Sequence, residues 1–163
     1  MVDSEPGQGA CFTIYLPRVK QAIAPDISAN AEAPPRGTET ILIAEDEEAL
    51  REAICDYMSS LGYTVFTASS GKEALSAASE HEGHIDLLIT DVVMPGMSGR
   101  ELSQMMGSLY PNLKSIYMSG YTDDAVLRRG IERMDATFLQ KPFSLSTIAR
   151  KVRETLGRTE TVQ

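Results

Sequence analysis

The sequence predicts an α/β fold in which helices cover both faces of a doubly wound, five-stranded parallel sheet. After residue 38, strand-like and helix-like segments alternate five times, which is the pattern of a parallel sheet. The apolar run at residues 87–90 does not alternate with polar residues, as expected for a strand buried on both faces. With 163 residues, 42% of them hydrophobic, the chain is long enough for one such domain and its tails.

Short apolar or β-branched runs predict the strands, and turn residues separate them from the helices. The predicted strands cover residues 40–44, 63–67, 85–90, 115–118 and 137–140. The first predicted helix follows Asp46 and is ended by Gly62, and the second covers residues 70–79. The third begins at Ser98 and cannot continue through Pro111, the fourth covers residues 123–131, and Ser144 caps the last.

The helices differ in how strongly their sequences predict burial. Two of them carry an apolar stripe at intervals of three and four residues: Leu50, Ile54, Met58 and Leu61 in the first helix, and Leu145, Ile148, Val152 and Leu156 in the last. The segment 123–131 has a poorer apolar face, because it contains Arg128, Arg129 and Gly130. We expect that segment to be mobile or to face a partner.

The residues outside the sheet pattern form three segments. Residues 1–18 contain Gly7-Gln8-Gly9, which predicts a flexible turn, and then one alternating strand closed by Pro17 and lacking a second strand to pair with. Residues 19–38 are rich in Ala, Pro and small polar residues, a composition that predicts a flexible linker. The globular domain is then expected at residues 39–157, followed by a short tail at 158–163.

Composition and charge exclude several classes of partner. The net charge of −8 and the pI near 4.8 argue against binding to nucleic acid, which needs clustered Lys and Arg. No apolar run reaches the ~20 residues needed to cross a bilayer, and no signal peptide is visible, so we expect a cytoplasmic protein without a membrane partner. Cys11 and Cys55 show neither a disulfide pattern nor thiolate metal spacing.

Chemically useful residues follow four of the five predicted strands: Glu45 and Asp46, then Asp91, then Ser119, then Lys141. The carboxyl ends of parallel strands meet at one crevice, so three carboxylates should crowd together there. A Mg²⁺ ion with oxygen ligands would relieve their repulsion and leave a position for a phosphoryl oxygen. A lysine and a hydroxyl could hold the remaining phosphoryl oxygens. The set predicts phosphoryl transfer to Asp91.

Four segments at these strand ends resemble response-regulator receiver domains: ILIAEDE at 41–47, LITDVVMPGM at 88–97, YMSGY at 117–121 and FLQKPF at 138–143. The resemblance covers about residues 39–157. It implies the (βα)5 flavodoxin-like receiver fold, with strand order 2-1-3-4-5 within the domain.

The resemblance also implies a role for each site residue. Asp91 would be the phosphoacceptor, and Asp46, Asp91 and the backbone carbonyl of Val93 would bind Mg²⁺, with Glu45 acting at the metal through water. Ser119 and Lys141 would hold the phosphoryl group. Phe138 matches the aromatic switch position, which works together with Ser119, and Lys141-Pro142 matches the family's cis peptide bond. Beyond Mg²⁺, no cofactor is implied.

Two residues depart from the family pattern. The acid pair is most often Asp-Asp, and here it is Glu45-Asp46, so the longer side chain can alter metal affinity. Many relatives have a polar residue two positions after the phosphoacceptor, where this chain has Val93. We hypothesise that Val93 and Tyr121 hinder the hydrolytic water and lengthen the life of the acyl phosphate.

Residues 1–18, including FTIYLPRV, resemble the end of the ATP-binding domain of sensor histidine kinases. The two resemblances together imply the carboxyl-terminal part of a hybrid sensor histidine kinase. Its partners would be the kinase domain in cis and a histidine phosphotransfer protein. Output would use protein contacts through residues 123–131, the fifth strand and the last helix, and either this face or residues 1–18 could support self-association.

Other functions on the same fold remain open. A receiver could dock to its kinase without being phosphorylated. A phosphohydrolase with an aspartate nucleophile would need a second acid two residues after Asp91, where Val93 stands. A flavin-binding module would need a Gly- or Ser-rich phosphate loop where the acidic stretch beginning at Glu45 stands. Whether the chain is an enzyme in its own right is left undecided, since a receiver acts on its own phosphorylation.

Overall fold

The computed structural model describes residues 2–5, 7, 9–15, 34–120 and 137–157. The predicted helix at 123–131, the tail at 158–163 and most of the predicted linker lie outside these ranges. The chain divides into two compact units, Met1–Ala31 and Glu32–Gln163.

The larger unit contains the five-stranded parallel sheet that the sequence predicts. Its strands are β3 (Thr40–Ala44), β4 (Thr64–Ala68), β5 (Leu87–Asp91), β6 (Lys114–Ser119) and β7 (Thr137–Gln140). They lie in the order β4-β3-β5-β6-β7, with every neighbouring pair parallel. The expected order 2-1-3-4-5 within the domain is therefore confirmed.

Three described helices connect successive strands, namely α1 (Glu48–Ser60), α2 (Gly71–Glu80) and α3 (Gly99–Leu109), and a fourth, α4 (Leu145–Gly157), follows the last strand. Glycine, serine and proline residues next to the helices determine where they begin and end. Gly62 takes a φ of 100° just beyond α1, a conformation that glycine adopts without steric cost. Ser70 and Ser98 cap α2 and α3 by accepting backbone N–H groups, and Pro111 follows the end of α3.

Helices pack on both faces of the sheet, so successive residues of each central strand enter different cores. One core joins β3 and β5 to α1 and α4, through Ile41, Ile43, Ile89, Ile54, Met58, Ile148 and Val152. The other joins the same strands to α2 and α3, through Leu42, Leu88, Ala74, Ala78, Leu102 and Met106. The apolar stripes of the first and last helices thus lie where their spacing predicts. Burial of the central strands on both faces explains why their sequences do not alternate.

The segment that precedes β3 already makes contacts with the rest of the domain. The amide of Gly37 donates to the carbonyl of Leu61 at 3.3 Å, and Thr64 donates to the carbonyl of Glu39 at 3.1 Å. A side chain at position 37 would collide with the ring of Tyr63. This close approach requires glycine.

The smaller unit contains a two-stranded antiparallel hairpin. Strand β1 (Val2–Glu5) pairs with β2 (Gly9–Phe12), and Gly7 and Gly9 have φ values of 82° and 87° in and after the turn. The expectation of a strand without a partner in this segment is wrong. The polar residues within 2–5 hide the first strand from a search for apolar alternation.

Among the residues that the structure describes, no helix is both long enough and apolar enough to cross a membrane.

Candidate functional site

The carboxyl ends of β3, β5, β6 and β7 meet at one edge of the sheet. Glu45 directly follows β3, Asp91 and Ser119 are the last residues of β5 and β6, and Lys141 directly follows β7. The parallel register places Asp91 beside Met118 and Ser119 beside Gln140. The topology therefore brings together residues that the sequence separates widely.

Three carboxylates converge at this edge. One oxygen from each of Glu45, Asp46 and Asp91 lies within 4.8 Å of the others. Glu45 and Asp91 are buried, with 1% and 8% of their surface exposed, whereas Asp46 faces solvent. Buried carboxylates this close repel one another and call for a compensating cation.

Lys141 supplies a positive charge between the two buried acids. Its Nζ donates to Asp91 Oδ2 at 2.6 Å and to Glu45 Oε2 at 2.8 Å. Burial opposes the charged ammonium, but the hydrogen bonds and negative charges of Asp91 and Glu45 outweigh it and raise the pKa of Lys141. Burial, together with the nearby negative charge of Asp91, raises the pKa of Glu45, although the hydrogen bond and charge of Lys141 act to lower it. The pair is thus held together at a cost in solvation.

The backbone around Asp91 fixes its carboxylate at the mouth of the site. The amide of Val93 donates to Asp91 Oδ1 at 3.2 Å, which places the Val93 backbone next to the carboxylate. The Val93 side chain is 49% exposed. At the start of α3, Gly99 packs so closely that a Cβ there would collide with the Asp91 carbonyl oxygen and the Thr90 side chain. Glycine at 99 therefore lets α3 begin directly against the end of β5.

Three further residues of the predicted site lie near this edge: Ser119, Phe138 and Pro142. Ser119 is buried, and its carbonyl accepts the amide of Lys141 at 2.8 Å. Phe138 is half-buried and lies against Tyr117 with ring centroids 5.7 Å apart. The Lys141–Pro142 peptide bond is cis. Tyr121, which the hydrolysis hypothesis also involves, lies outside the described residues.

One contact at the site carries no sequence signal. Arg51, in the first turn of α1, donates from Nη1 to the backbone carbonyl of Glu45 at 2.8 Å. Nothing in the spacing of charged residues distinguishes Arg51 from other arginines on helix surfaces. Only the folded β3–α1 connection shows that it reaches back to the acidic loop.

The acidic cluster fits Mg²⁺ in both chemistry and size. Mg²⁺ binds oxygen ligands at about 2.1 Å, so ligands on opposite sides of the ion lie about 4.2 Å apart. The three carboxylate oxygens, within 4.8 Å of one another, need only a small movement to meet that geometry. Asp46 forms the exposed side of the cluster.

A comparison with protein families identifies the domain that carries this edge. The model of the response regulator receiver domain family matches residues 41–153. The chain belongs to this family. It is therefore a receiver domain of two-component signalling, and the sequence-based expectation of such a domain is confirmed.

Similar proteins include both single receivers and large sensor kinases. Over 96% of its length, this chain is 38% identical to the sensor kinase CckA of Brucella abortus, of which it spans 17%. It is 31% identical to the response regulator receiver protein CpdR of the same organism, over 71% of this chain and 95% of that protein. It is also 30% identical to the sensor kinase/phosphatase LuxN of Vibrio harveyi, over 77% of this chain and 14% of that protein.

Solved structures show the same fold. The receiver domain of the hybrid histidine kinase CckA superimposes with a TM-score of 0.60 at 33% identity, covering 72% of this chain and 98% of that one. A response regulator receiver domain from Clostridium thermocellum gives 0.64 at 28% identity, covering 74% and 95%. Each superposition covers nearly all of the solved chain and about three quarters of this one.

Proposed function

We propose that this receiver domain accepts a phosphoryl group from a kinase phosphohistidine onto Asp91. The observation that carries the proposal is the buried Asp91 carboxylate, which is hydrogen-bonded to Lys141 and grouped with two further carboxylates. A carboxylate that served only to cap a turn would need neither a half-buried lysine nor an acidic cluster. A nucleophile for phosphoryl transfer uses the lysine to position it, and the cluster can hold a metal ion that balances the charge.

In the proposed transfer, one oxygen of Asp91 forms a bond to phosphorus as the bond from phosphorus to the donor imidazole nitrogen breaks. The electron pair stays on that nitrogen, and the product is an acyl phosphate. Glu45, Asp46, Asp91 and the Val93 carbonyl would hold Mg²⁺, which supplies charge neutralisation at the phosphoryl oxygens. The ammonium of Lys141 would exchange its bond to Asp91 for one to a phosphoryl oxygen.

Ser119 and Phe138 form the proposed link to output. They lie on the adjacent strands β6 and β7, where Phe138 pairs with Tyr117 and Ser119 with Gln140. By the resemblance to receiver domains, Phe138 would turn inward when the Ser119 hydroxyl moves toward the phosphoryl group. The surface affected is the expected output face, formed by residues 123–131, β7 and α4. A two-state shift of this kind converts a local charge change into altered partner binding.

The extent of the alignment with a sensor kinase supports a proposal about the larger protein to which this chain belongs. The receiver fold begins near residue 39, yet the alignment with the sensor kinase CckA covers 96% of the chain and so extends into the segment before it. This supports an origin in a hybrid kinase, with residues 1–18 from the ATP-binding domain, a linker at 19–38, the receiver at 39–157 and a tail at 158–163. A kinase domain in cis, a histidine phosphotransfer protein and a cytoplasmic location belong to this proposal.

Intact mass measurement tests the central step. The protein is incubated with Mg²⁺ and a small acyl-phosphate donor, and the same is done with Asp91→Asn. We expect one phosphoryl adduct in the wild type and none in the variant or without Mg²⁺. An adduct that persists in Asp91→Asn would overturn the assignment of the phosphoacceptor.

A receiver that only docks to its kinase is the second candidate. It predicts no adduct from either the small donor or the phosphorylated cognate kinase, together with retained binding to that kinase. The phosphohydrolase alternative predicts continuous release of phosphate, and the exposed Val93 in place of a general acid argues against it.

Self-association through residues 1–18 is a separate proposal. In the part of the chain that the structure describes, β1 and β2 form a sheet of two strands, and exposed strand edges can pair with another chain. Phe12, Ile14 and Tyr15 are more than two-thirds exposed. Sedimentation of the full chain and of a variant lacking residues 1–18 tests it. The full chain should sediment as a larger species, whereas equal sedimentation of the two would refute the idea.

A further inference from the structure

The helix that follows the acidic loop begins differently from the other described helices. Serine side chains accept backbone N–H groups at the start of three of them: Ser70 before α2, Ser98 before α3 and Ser144 before α4. Glu47, which precedes α1, makes no such side-chain bond. The loop that carries Glu45 and Asp46 is thus not fixed by a helix cap.

Arg51 holds this loop instead. The guanidinium donates to the Glu45 carbonyl at 2.8 Å, and the Glu45 amide donates to the Ala68 carbonyl of β4 at 3.1 Å. The Glu45 backbone is therefore held from α1 on one side and from the sheet on the other. Its side chain is held as well, since Oε2 accepts Lys141 and Oε1 accepts the Glu47 amide at 3.3 Å.

The geometry points to Arg51 as the positioning residue of the metal site: its guanidinium fixes the β3–α1 loop so that Glu45 and Asp46 face Asp91. The part of this inference that concerns Mg²⁺ rests on the proposed function. Arg51 is half-buried, so less side-chain freedom is lost when it makes the bond. Its planar, rigid fork suits a fixed carbonyl better than the flexible ammonium of lysine does.

Replacing Arg51 should change the affinity for Mg²⁺ in opposite directions according to its role, which is either to position the loop or to act only through its charge. A positive charge near three carboxylates repels Mg²⁺, so removing it should tighten metal binding if charge alone mattered. If Arg51 orients the loop, its removal should weaken binding, because ligands that are no longer held lose about tenfold in metal affinity. The sign of the change therefore separates the two roles.

The experiment compares wild type with Arg51→Met, Arg51→Lys and Arg36→Met. Arg36 is exposed and precedes β3, at the end of the strand away from the site, so Arg36→Met controls for the loss of one positive charge. Calorimetric titration with MgCl₂ gives the dissociation constant of each protein. Amide hydrogen exchange of residues 45–47, measured without Mg²⁺, reports on the loop directly, and thermal unfolding verifies that each variant is folded.

We expect Arg51→Met to weaken Mg²⁺ binding about tenfold and to speed amide exchange at residues 45–47 about tenfold. Arg51→Lys should fall between wild type and Arg51→Met, while Arg36→Met should match wild type. If Arg51→Met does not fold, Arg51→Lys decides by the same two readouts. Binding that is unchanged or tighter, together with unchanged exchange, would overturn the inference. Absence of Mg²⁺ binding by the wild type would refute the proposed metal site, and the exchange data would still decide the role of Arg51.

Discussion

The ammonium of Lys141 lies 2.6 Å from Oδ2 of Asp91, although the two residues are 50 positions apart in the chain. The same ammonium also contacts Glu45, so a single cation balances two buried carboxylates. In the proposed reaction, Mg²⁺ and the phosphoryl group change this balance. The Lys141 ammonium can then exchange its hydrogen bond to Asp91 for one to the negatively charged phosphoryl oxygens.

Replacing Lys141 tests this charge balance. Lys141→Met leaves two buried carboxylates unpaired, and we expect the free energy of unfolding to fall by about 2 kcal/mol. Added Mg²⁺ should raise the melting temperature of the variant more than that of wild type, because the ion replaces the missing positive charge. Phosphorylation by a small donor should slow about 100-fold. Lys151→Met, which removes an exposed pair with Glu154, should leave stability within about 0.5 kcal/mol of wild type; equal loss in both variants would contradict the prediction.

Replacing two glycines of α3 by alanine should change the free energy of unfolding in opposite directions. Gly99→Ala places a methyl group against the Asp91 carbonyl and Thr90, so we expect a loss of about 2 kcal/mol in unfolding free energy and slower phosphorylation. Gly107 has open space around its Cβ position, so Gly107→Ala should stabilise α3 by about 0.5–1 kcal/mol. Urea unfolding of the two variants makes the comparison, and a similar effect in both would show that helix propensity alone is at work.

A carboxylate–guanidinium pair connects the segment before β3 to α4. Arg153 donates to Glu39 Oε1 at 2.6 Å. Burial acts to raise the pKa of Glu39, but the Arg153 hydrogen bond and the backbone N–H groups outweigh it, so the pKa lies below its ordinary value of 4.5. A lowered pKa in the folded state stabilises the protein fully above pH 4.5, and this contribution is lost as the pH falls through the folded-state value.

We therefore expect Glu39→Gln to lower the free energy of unfolding by about 0.5–1 kcal/mol at pH 7 and by less at pH 3.5. The pair is partly exposed to solvent, which limits the effect. Chemical denaturation at the two pH values measures the difference. A constant difference between wild type and variant across this range would mean that the contribution does not depend on ionisation of Glu39.

The exposed Val93 side chain gives the hydrolysis hypothesis a direct test. Val93 lies two residues after Asp91 and offers no hydrogen bond to an attacking water. We expect Val93→Asn to shorten the lifetime of the phosphoryl adduct severalfold, measured by intact mass after removal of the donor. Leu109→Asn, at another exposed apolar position, should not change the lifetime. Loss of phosphate that is no faster in Val93→Asn than in wild type would count against the hypothesis.

The receiver fold could be predicted closely because its local signals agree with one another. The limits of β3 and β7 match the prediction, while β4 begins one residue later than expected and β5 begins two residues later and includes Asp91 itself. Strand ends shift in this way because pairing with neighbours, rather than local sequence, decides where a ladder stops. The N-terminal hairpin was missed for a related reason. Strand β1 has no apolar pattern of its own, and only its pairing with β2 makes it a strand.

By itself, the sequence determined the fold class and the set of residues at the carboxyl edge, since these follow from hydrophobic periodicity and from motifs at strand ends, while the strand order followed from the resemblance to receiver domains. The tertiary structure decided which atoms meet: that Lys141 bridges Glu45 and Asp91, that Gly99 packs against the end of β5, and that Arg51 holds the acidic loop. Such contacts join residues far apart in the chain or on different elements. Their geometry depends on how helices and strands pack, and no local pattern of residues records that.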